Sequence, residues 1–428
     1  MGGMRKKFQR FLKLFGPGFI TGAADDDPSG VATYAQTGAQ FGYGQLWLIV
    51  FLLPLQTAVQ EACARIGAVT GRGLTAVVKR QYGMRVVWWM VVLVLLANTI
   101  NIGADIGAMA EAMQLVTPFS FVQLTLGFTA FMLILEIFTS YRVYAKILKW
   151  LALTLLAYPL TVLIVAEPWG QILRATFIPH IEWTFPFLFI VTGVLGTTIS
   201  PYMFFWEASE EVEDEKESHL FRWGRPLITK RYVKAILVDN WVGMIFSGLG
   251  AWSIMVVAAT VLNAHGVSNI ATAADAAKAL EPLVSSFPNA GFLSKLLFTV
   301  GIVGLGLLSI PILAGSAAYA IAEAFRIHEG LSLKLKQAHG FYGAITIATV
   351  LGLLINFVGI DPMKALVYTA VLNGVVAVPL IYIIARVAGN KKIMGKYRSG
   401  PLSSTFVWLA FGAMLLSAVG TLVMLLPH

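Results

Sequence analysis

Apolar residues run along this chain in long blocks separated by short polar segments. Eleven blocks reach or approach membrane-spanning length, near residues 14–40, 45–66, 86–113, 121–140, 146–166, 186–210, 234–262, 293–324, 341–358, 363–387 and 404–426. Such runs predict transmembrane helices, and the alternation of a β-barrel strand is absent. Two blocks are interrupted, the first by DDDPSG at 25–30 and the sixth by GTTISPYMFFW at 196–206. Each interruption holds Gly and Pro, and Pro removes a helix donor and clashes with the preceding turn. The interruptions lie five spans apart. Five is odd, so a repeat of spans one to five in spans six to ten is inverted across the membrane. Paired broken helices in corresponding halves point to a transporter binding site, because unwound backbone at mid-membrane depth is tolerated only where it lines a cavity.

The pattern therefore predicts an all-α polytopic membrane protein. A tail covers 1–13, a first five-helix repeat 14–166, and a second, inverted repeat 167–387 with a long loop at 263–292. A loop and an eleventh helix cover 388–428. The loop segment ATAADAAKALEPLV reads as a short surface helix, either a packed connector or a lid. The link SEEVEDEKESHLFRWGRPLITKRY reads as a solvated, mixed-charge connection.

Composition agrees: 57% of residues are hydrophobic, 12% are charged, and mean hydropathy is +0.76. A soluble chain carries about twice that charged fraction. The formal charge of +9 suggests nucleic acid in a soluble protein. Here the positive-inside rule explains it instead. With the N-terminus in the cytoplasm, only Arg174, Lys278, Lys295 and Lys364 of the 31 basic residues fall outside. This places the N-terminus inside and the C-terminus outside a plasma membrane. The basic, then apolar, start imitates a signal peptide, but its apolar run is short, lacks a small-residue cleavage site and meets acids at Asp25. Cys63 is the only cysteine, which excludes disulfides and thiolate metal cages. The six histidines lie in loops or at the terminus, so the spans hold no hydrolase constellation and no enzyme is expected. Beyond the bilayer and its cargo, no nucleic acid, cofactor or obligatory protein partner is implied, and the chain reads as a monomer.

A carboxylate at mid-membrane costs roughly 2.5 to 3.5 kcal/mol and is a functional candidate by default. Asp27 precedes Pro28, where the first helix unwinds. It is a cation ligand, an N-cap of the half-helix that follows, or both. Asp26, with Asp25, lines the entrance or binds through water. Across the gap stand the carbonyls of Thr197 and Thr198 and the hydroxyl of Ser200, the last either a ligand or a helix-bending hydroxyl. Thr369 and Asn373 reach toward the same place from the tenth span. This oxygen-only set suits Mg²⁺, Ca²⁺ or Mn²⁺ better than softer metals. Glu207, Glu210 and Glu211 continue the sixth span as an acidic stripe, either a cation path or a helix end. Glu61 pairs with Arg65 one turn on.

The segments GPGFITGAADDDPSGVATYAQTGAQFGY, QEACARIGAVTGRGL and GTTISPYMFFW resemble the NRAMP family of divalent-metal transporters, and the similarity runs over nearly the whole chain. The resemblance implies the LeuT-like inverted-repeat fold with broken helices one and six, and transport of divalent cations, usually Mn²⁺ or Fe²⁺ with protons. The family's first break reads Asp-Pro-Gly-Asn; here Asp27 is kept and Gly30 stands where the family has a metal-binding Asn. At the second break the family's Ala carbonyl matches Thr197, its Met thioether Ser200 and its His Tyr202. The family's glutamine ligand falls near Thr369, and its acidic pair in span three near Asn101 and Ala104, leaving Asp105 close by. Loss of the thioether removes discrimination in favour of transition metals. Mg²⁺ prefers to keep waters, so an oxygen-lined site with two larger ligands lost suits it. The departures thus imply the NRAMP-related magnesium branch. The expected activity is import of Mg²⁺, and also Mn²⁺, without proton coupling. A proton-coupled Mn²⁺/Fe²⁺ importer is the alternative.

Overall fold

The computed structural model describes residues 27–139, 153–165, 168–217, 221–222, 225–226, 228–331 and 333–425. The tail over 1–13, Asp25, Asp26 and much of the first and fifth expected spans lie outside these residues. Every long described element is helical. The helices are α1 (Pro28–Phe41), α2 (Trp47–Thr70), α3 (Leu74–Tyr82), α4 (Met84–Gln114), α5 (Phe121–Phe138), α6 (Ala157–Ile164), α7 (Trp169–Phe177), α8 (Phe185–Thr198) and α9 (Pro201–Glu217). Then follow α10 (Lys230–Val257), α11 (Ala273–Lys278), α12 (Glu281–Val284), α13 (Ala290–Phe325), α14 (His339–Ile355), α15 (Pro362–Ala388), α16 (Lys391–Met394) and α17 (Pro401–Leu425). Eight stretches of the described residues are long and apolar enough to cross a membrane, with Phe185–Lys216 taken as one across its break. α14 is apolar but has only 17 residues, and α1 and α6 are the described parts of the first and fifth spans.

A helix begins at the first interruption, and the second is a break between two described helices. Asp27 is extended (φ −74°, ψ 173°), and Pro28, with its preset φ, opens α1. α8 stops at Thr198, Ile199 leaves helical geometry (φ −118°, ψ 67°), and Pro201 opens α9. The buried frame around them is helix on helix. α4 lies along α13, α14 and α15, while α8 lies on α15 and α17, and α9 on α2 and α13. Small residues permit these crossings, as expected where packing rather than a hydrophobic drive joins helices. At the α8–α15 crossing a Cβ on Gly196 would stand 2.0 Å from the Ala370 carbonyl and 2.2 Å from the Gly374 nitrogen.

The loop over 263–292 is a packed connector that contains α11 and α12. Gln36 of α1 donates to the Ser268 carbonyl at 3.2 Å and accepts from the Ile270 amide at 2.9 Å. Glu111 of α4 accepts from the Ala273 amide at 2.8 Å.

The link after the sixth span departs from the solvated connection expected. α9 runs on to Glu217, and Ser209, Glu211 and Glu215 are buried. Ser209 donates to Glu323 at 2.9 Å, Tyr232 donates to Glu211 at 2.5 Å, and Glu213 accepts from the Leu331 amide at 3.0 Å and from the Tyr319 hydroxyl. Glu211 and Glu213 turn inward toward hydroxyls and a loop amide that need acceptors. Beyond it, Phe221–Arg222 and Arg225–Pro226 pair as a minimal antiparallel ribbon.

Candidate cation site at the helix breaks

Asp27 is 1% exposed and sits at the N-terminus of α1. Its Oδ1 accepts from the Gly30 amide at 2.8 Å and from the Ser29 hydroxyl at 2.6 Å. Its Oδ2 accepts from Asn101 Nδ2 at 2.9 Å. The capping role foreseen is therefore present, and since a carboxylate has about four acceptor positions, these three bonds leave a lone pair free on Oδ2. Ser29 and Gly30 are short for a reason: a Cβ on Gly30 would lie 3.1 Å from Thr197 Oγ1. The two breaks meet here. Ser29 Oγ is 3.4 Å from Thr197 Oγ1, and the Tyr34 hydroxyl is 3.0 Å from Thr198 Oγ1.

The second break looks after its own carbonyls. Ser200 Oγ donates to the Thr197 carbonyl at 2.6 Å and lies 3.0 Å from that of Gly196. The hydroxyl thus occupies one lone pair of the Thr197 carbonyl, and its own oxygen remains able to accept. Thr369 is buried on α15 and donates to the Leu366 carbonyl at 2.8 Å, so its hydroxyl proton is spent on its own helix.

Asn373 belongs with Asp27 rather than with the acids of α9. Its Nδ2 donates to Asn101 Oδ1 at 3.0 Å, completing a chain Asp27–Asn101–Asn373 across α1, α4 and α15. The sequence reading gave Asn101 no role. The available signal was a polar stripe on an otherwise apolar span, Asn98, Asn101 and Asp105, at three- and four-residue spacing on one helix face. Asp105 is fully buried and accepts from Ser309 at 3.0 Å through Oδ2. Its Oδ1 and the Oδ1 of Asn373 are buried with no hydrogen-bond partner among the described residues.

Asp27 and Asp105 carry no salt bridge among the described residues. A buried charge without a counter-charge is costly, and among the described residues no side-chain cation offsets either one. Glu207, Glu210 and Glu211 lie further along α9. Glu207 is 2% exposed, and Glu211 is held by Tyr232. Among the described residues no three His, Cys, Asp or Glu side chains converge as a metal cluster. A cation at the breaks must therefore rely on few carboxylates and on neutral oxygens. Asp26 lies outside the described residues.

A cleft of about 220 Å³ opens toward the 263–292 loop, lined by Gln36, Gln40, Phe189, Ile270, Lys364 and Tyr368 among others. On the opposite face Glu61 and Arg65 form the expected ion pair. Arg65 also donates to the Arg398 carbonyl at 3.2 Å, and Ser403 to Glu61 at 3.1 Å, tying α2 to α17.

A family model described as natural resistance-associated macrophage protein-like (Nramp) matches residues 18–424. A divalent metal cation transporter MntH of Caldanaerobacter subterraneus subsp. tengcongensis is 25% identical over 419 residues, covering 96% of this chain and 94% of the relative. The crystal structure of the Eremococcus coleocola manganese transporter, in complex with an aromatic bis-isothiourea compound, superposes with a TM-score of 0.73 at 16% identity, covering 97% of this chain and 87% of that one. MHP1, a nucleobase-cation-symport-1 family transporter in a closed conformation, gives a TM-score of 0.56 at 13% identity over 96% of this chain and 91% of that one. The structural likenesses concern the fold, which is the LeuT-like arrangement.

Proposed function

The chain belongs to the Nramp family, and from that membership we propose that it imports Mg²⁺, with Mn²⁺ as a second cargo, without moving protons. At the coarser level it is an Nramp-type divalent metal transporter and a multi-pass membrane protein, not an enzyme. The observation that carries the proposal is the donor set around the paired breaks: Asp27, Thr197, Ser200 and Asn373 offer only carboxylate, hydroxyl, carbonyl and amide oxygen. Hard oxygen donors suit Mg²⁺ and Mn²⁺, and none of these side chains is a thioether that would favour a softer ion.

In this reading Asp27 supplies the charge, and Asn101 fixes its Oδ2 while Asn373 fixes Asn101. The Asn373 Oδ1, without a partner among the described residues, accepts a hydrogen bond from a water that the ion retains. The cation enters from the cleft beside Gln36 and leaves past Glu207, Glu210 and Glu211. The asymmetry of Lys and Arg favours an N-terminus inside the plasma membrane, with the chain acting as a monomer. An inside-negative potential then draws in each charge with about 2.3 kcal/mol per 100 mV.

A second reading, proton-coupled Mn²⁺ or Fe²⁺ import, is favoured by Asp105, a buried carboxylate with a vacant oxygen one turn from Asn101. Proteoliposomes holding a Mg²⁺ indicator and a pH dye decide between them. Mg²⁺ entry with constant internal pH is expected. Mn²⁺ entry with no Mg²⁺ entry refutes the selectivity, and acidification in step with metal entry refutes the uncoupling.

A further inference from the structure

Where α2 ends at Thr70 and α15 at Ala388, the turn to α3 and the start of α16 enclose a cleft of about 360 Å³. Arg72, Arg80 and Lys392 line it, with Thr70 and Gln81 beside them and Val69, Val77 and Ile393 as an apolar floor. A neighbouring cleft of about 290 Å³ adds Arg386, Tyr82 and Asn390. No acidic residue lines either one. None of Arg72, Arg80, Arg386 or Lys392 has a carboxylate partner among the described residues. These cations are thus gathered around concave surface with nothing of opposite sign to neutralise them.

The clefts lie where two membrane spans end, since Val69 and Thr70 close α2 and Ala385 and Arg386 close α15, which places them at headgroup depth. The neighbouring start of α4 carries Trp88 and Trp89, 49% and 72% exposed, as in the aromatic belt at a membrane surface. α3 packs Leu74, Val77 and Val78 against the protein and leaves Arg80 exposed on its other side.

We propose that this cleft binds the phosphate headgroup of an anionic phospholipid from the adjacent leaflet. Two guanidinium forks and an ammonium grip phosphate oxygens, and the apolar floor takes the glycerol backbone and first methylenes. Membrane depth and that floor favour a lipid over a free phosphate, which shares the headgroup chemistry. A bound lipid would staple the α2–α3 turn to the end of α15, and so reach the helix that carries Asn373.

The test uses the full chain, delipidated in neutral detergent, with bound lipid counted by native mass spectrometry and thermal unfolding followed in parallel. Phosphatidylglycerol is expected to bind and raise Tm, and phosphatidylcholine is not. Replacing Arg72, Arg80 and Lys392 by Gln should weaken phosphatidylglycerol binding by roughly fivefold per charge removed. Arg80→Gln alone, at an exposed side chain, should move in the same direction, and Arg80→Lys should restore part of the loss. Lys334→Gln with Lys336→Gln, in another basic loop, should change nothing. Equal binding of phosphatidylcholine, or full phosphatidylglycerol affinity in the triple and Arg80→Gln variants, overturns the proposal. So does inorganic phosphate alone giving the whole stabilisation, which would identify a free anion as the ligand.

Discussion

Asn101 donates to Asp27 across 2.9 Å, from the middle of α4 to the N-terminus of α1. That bond fixes one oxygen of the only carboxylate at the first break among the described residues, while α1's own amide fixes the other. Capping and ligation are thus separable by mutation. Asp27→Asn keeps an oxygen for the Gly30 amide and the Ser29 hydroxyl but removes the charge. It should keep the Tm within a few degrees and cut metal flux by more than about a hundredfold. Flux retained by Asp27→Asn would leave Asp27 as a cap only.

Asn101→Ala removes the brace and not the ligand. Loss of a group that orients a metal ligand typically costs 10–100-fold, and a fall of about that size in apparent Mg²⁺ affinity is expected. Isothermal titration and proteoliposome flux should agree. Asn373→Ala, one bond further away, should show the same sign with a smaller amplitude.

Ser200→Met introduces a soft donor where the hydroxyl now serves the Thr197 carbonyl. Competition between Mn²⁺ and Mg²⁺ in proteoliposome uptake should shift toward Mn²⁺. An unchanged ratio would mean that Ser200 does not face the ion.

Gly196→Ala places a methyl about 2 Å from main-chain atoms of α15. Neither partner is a flexible side chain, so the helices must separate. Overpacking of this kind costs about 1–3 kcal/mol. A lower Tm in detergent is expected, with flux lost as α8 moves off Asn373. A Tm equal to the parent's would contradict the crossing.

Glu329 lies in the loop between α13 and α14. Burial, with the charges of Glu323 and Glu213 nearby and Lys216 opposing them, pushes its carboxyl up to about 8. An acid whose pKa is raised on folding binds its proton more tightly in the native state than in the unfolded one. Its ionisation therefore opposes folding, and stability falls as pH rises from about 4.5 to about 8. Thermal melts across that window should show a shallower decline for Glu329→Gln than for the parent. Parallel curves would mean that Glu329 is solvated.

The breaks were legible because Pro and Asp are out of place in apolar runs, and Asp27 was legible with them. The network that holds Asp27 was not. Asn101 and Asn373 stand 272 residues apart, and the spacing of polar residues within one helix says nothing of which other helix they meet. Ser200 was read with two roles open, and the bond to Thr197 depends on a local twist at Ile199 that composition does not record. The acids of α9 were misread as solvated because charge density alone marks a surface. Glu211 meets the Tyr232 hydroxyl and Glu213 the amide of Leu331, 118 residues on, partners that local composition does not record.

The contact of Gly196 with Gly374 brackets the site, since Thr197 follows the first glycine and Asn373 precedes the second. The distance between α8 and α15 is therefore set by two bare stretches of main chain. Under the proposed function, side chains at 197, 200 and 373 hang from that gauge without setting it, so exchanging their donor atoms changes the ion preferred while the gap keeps its width.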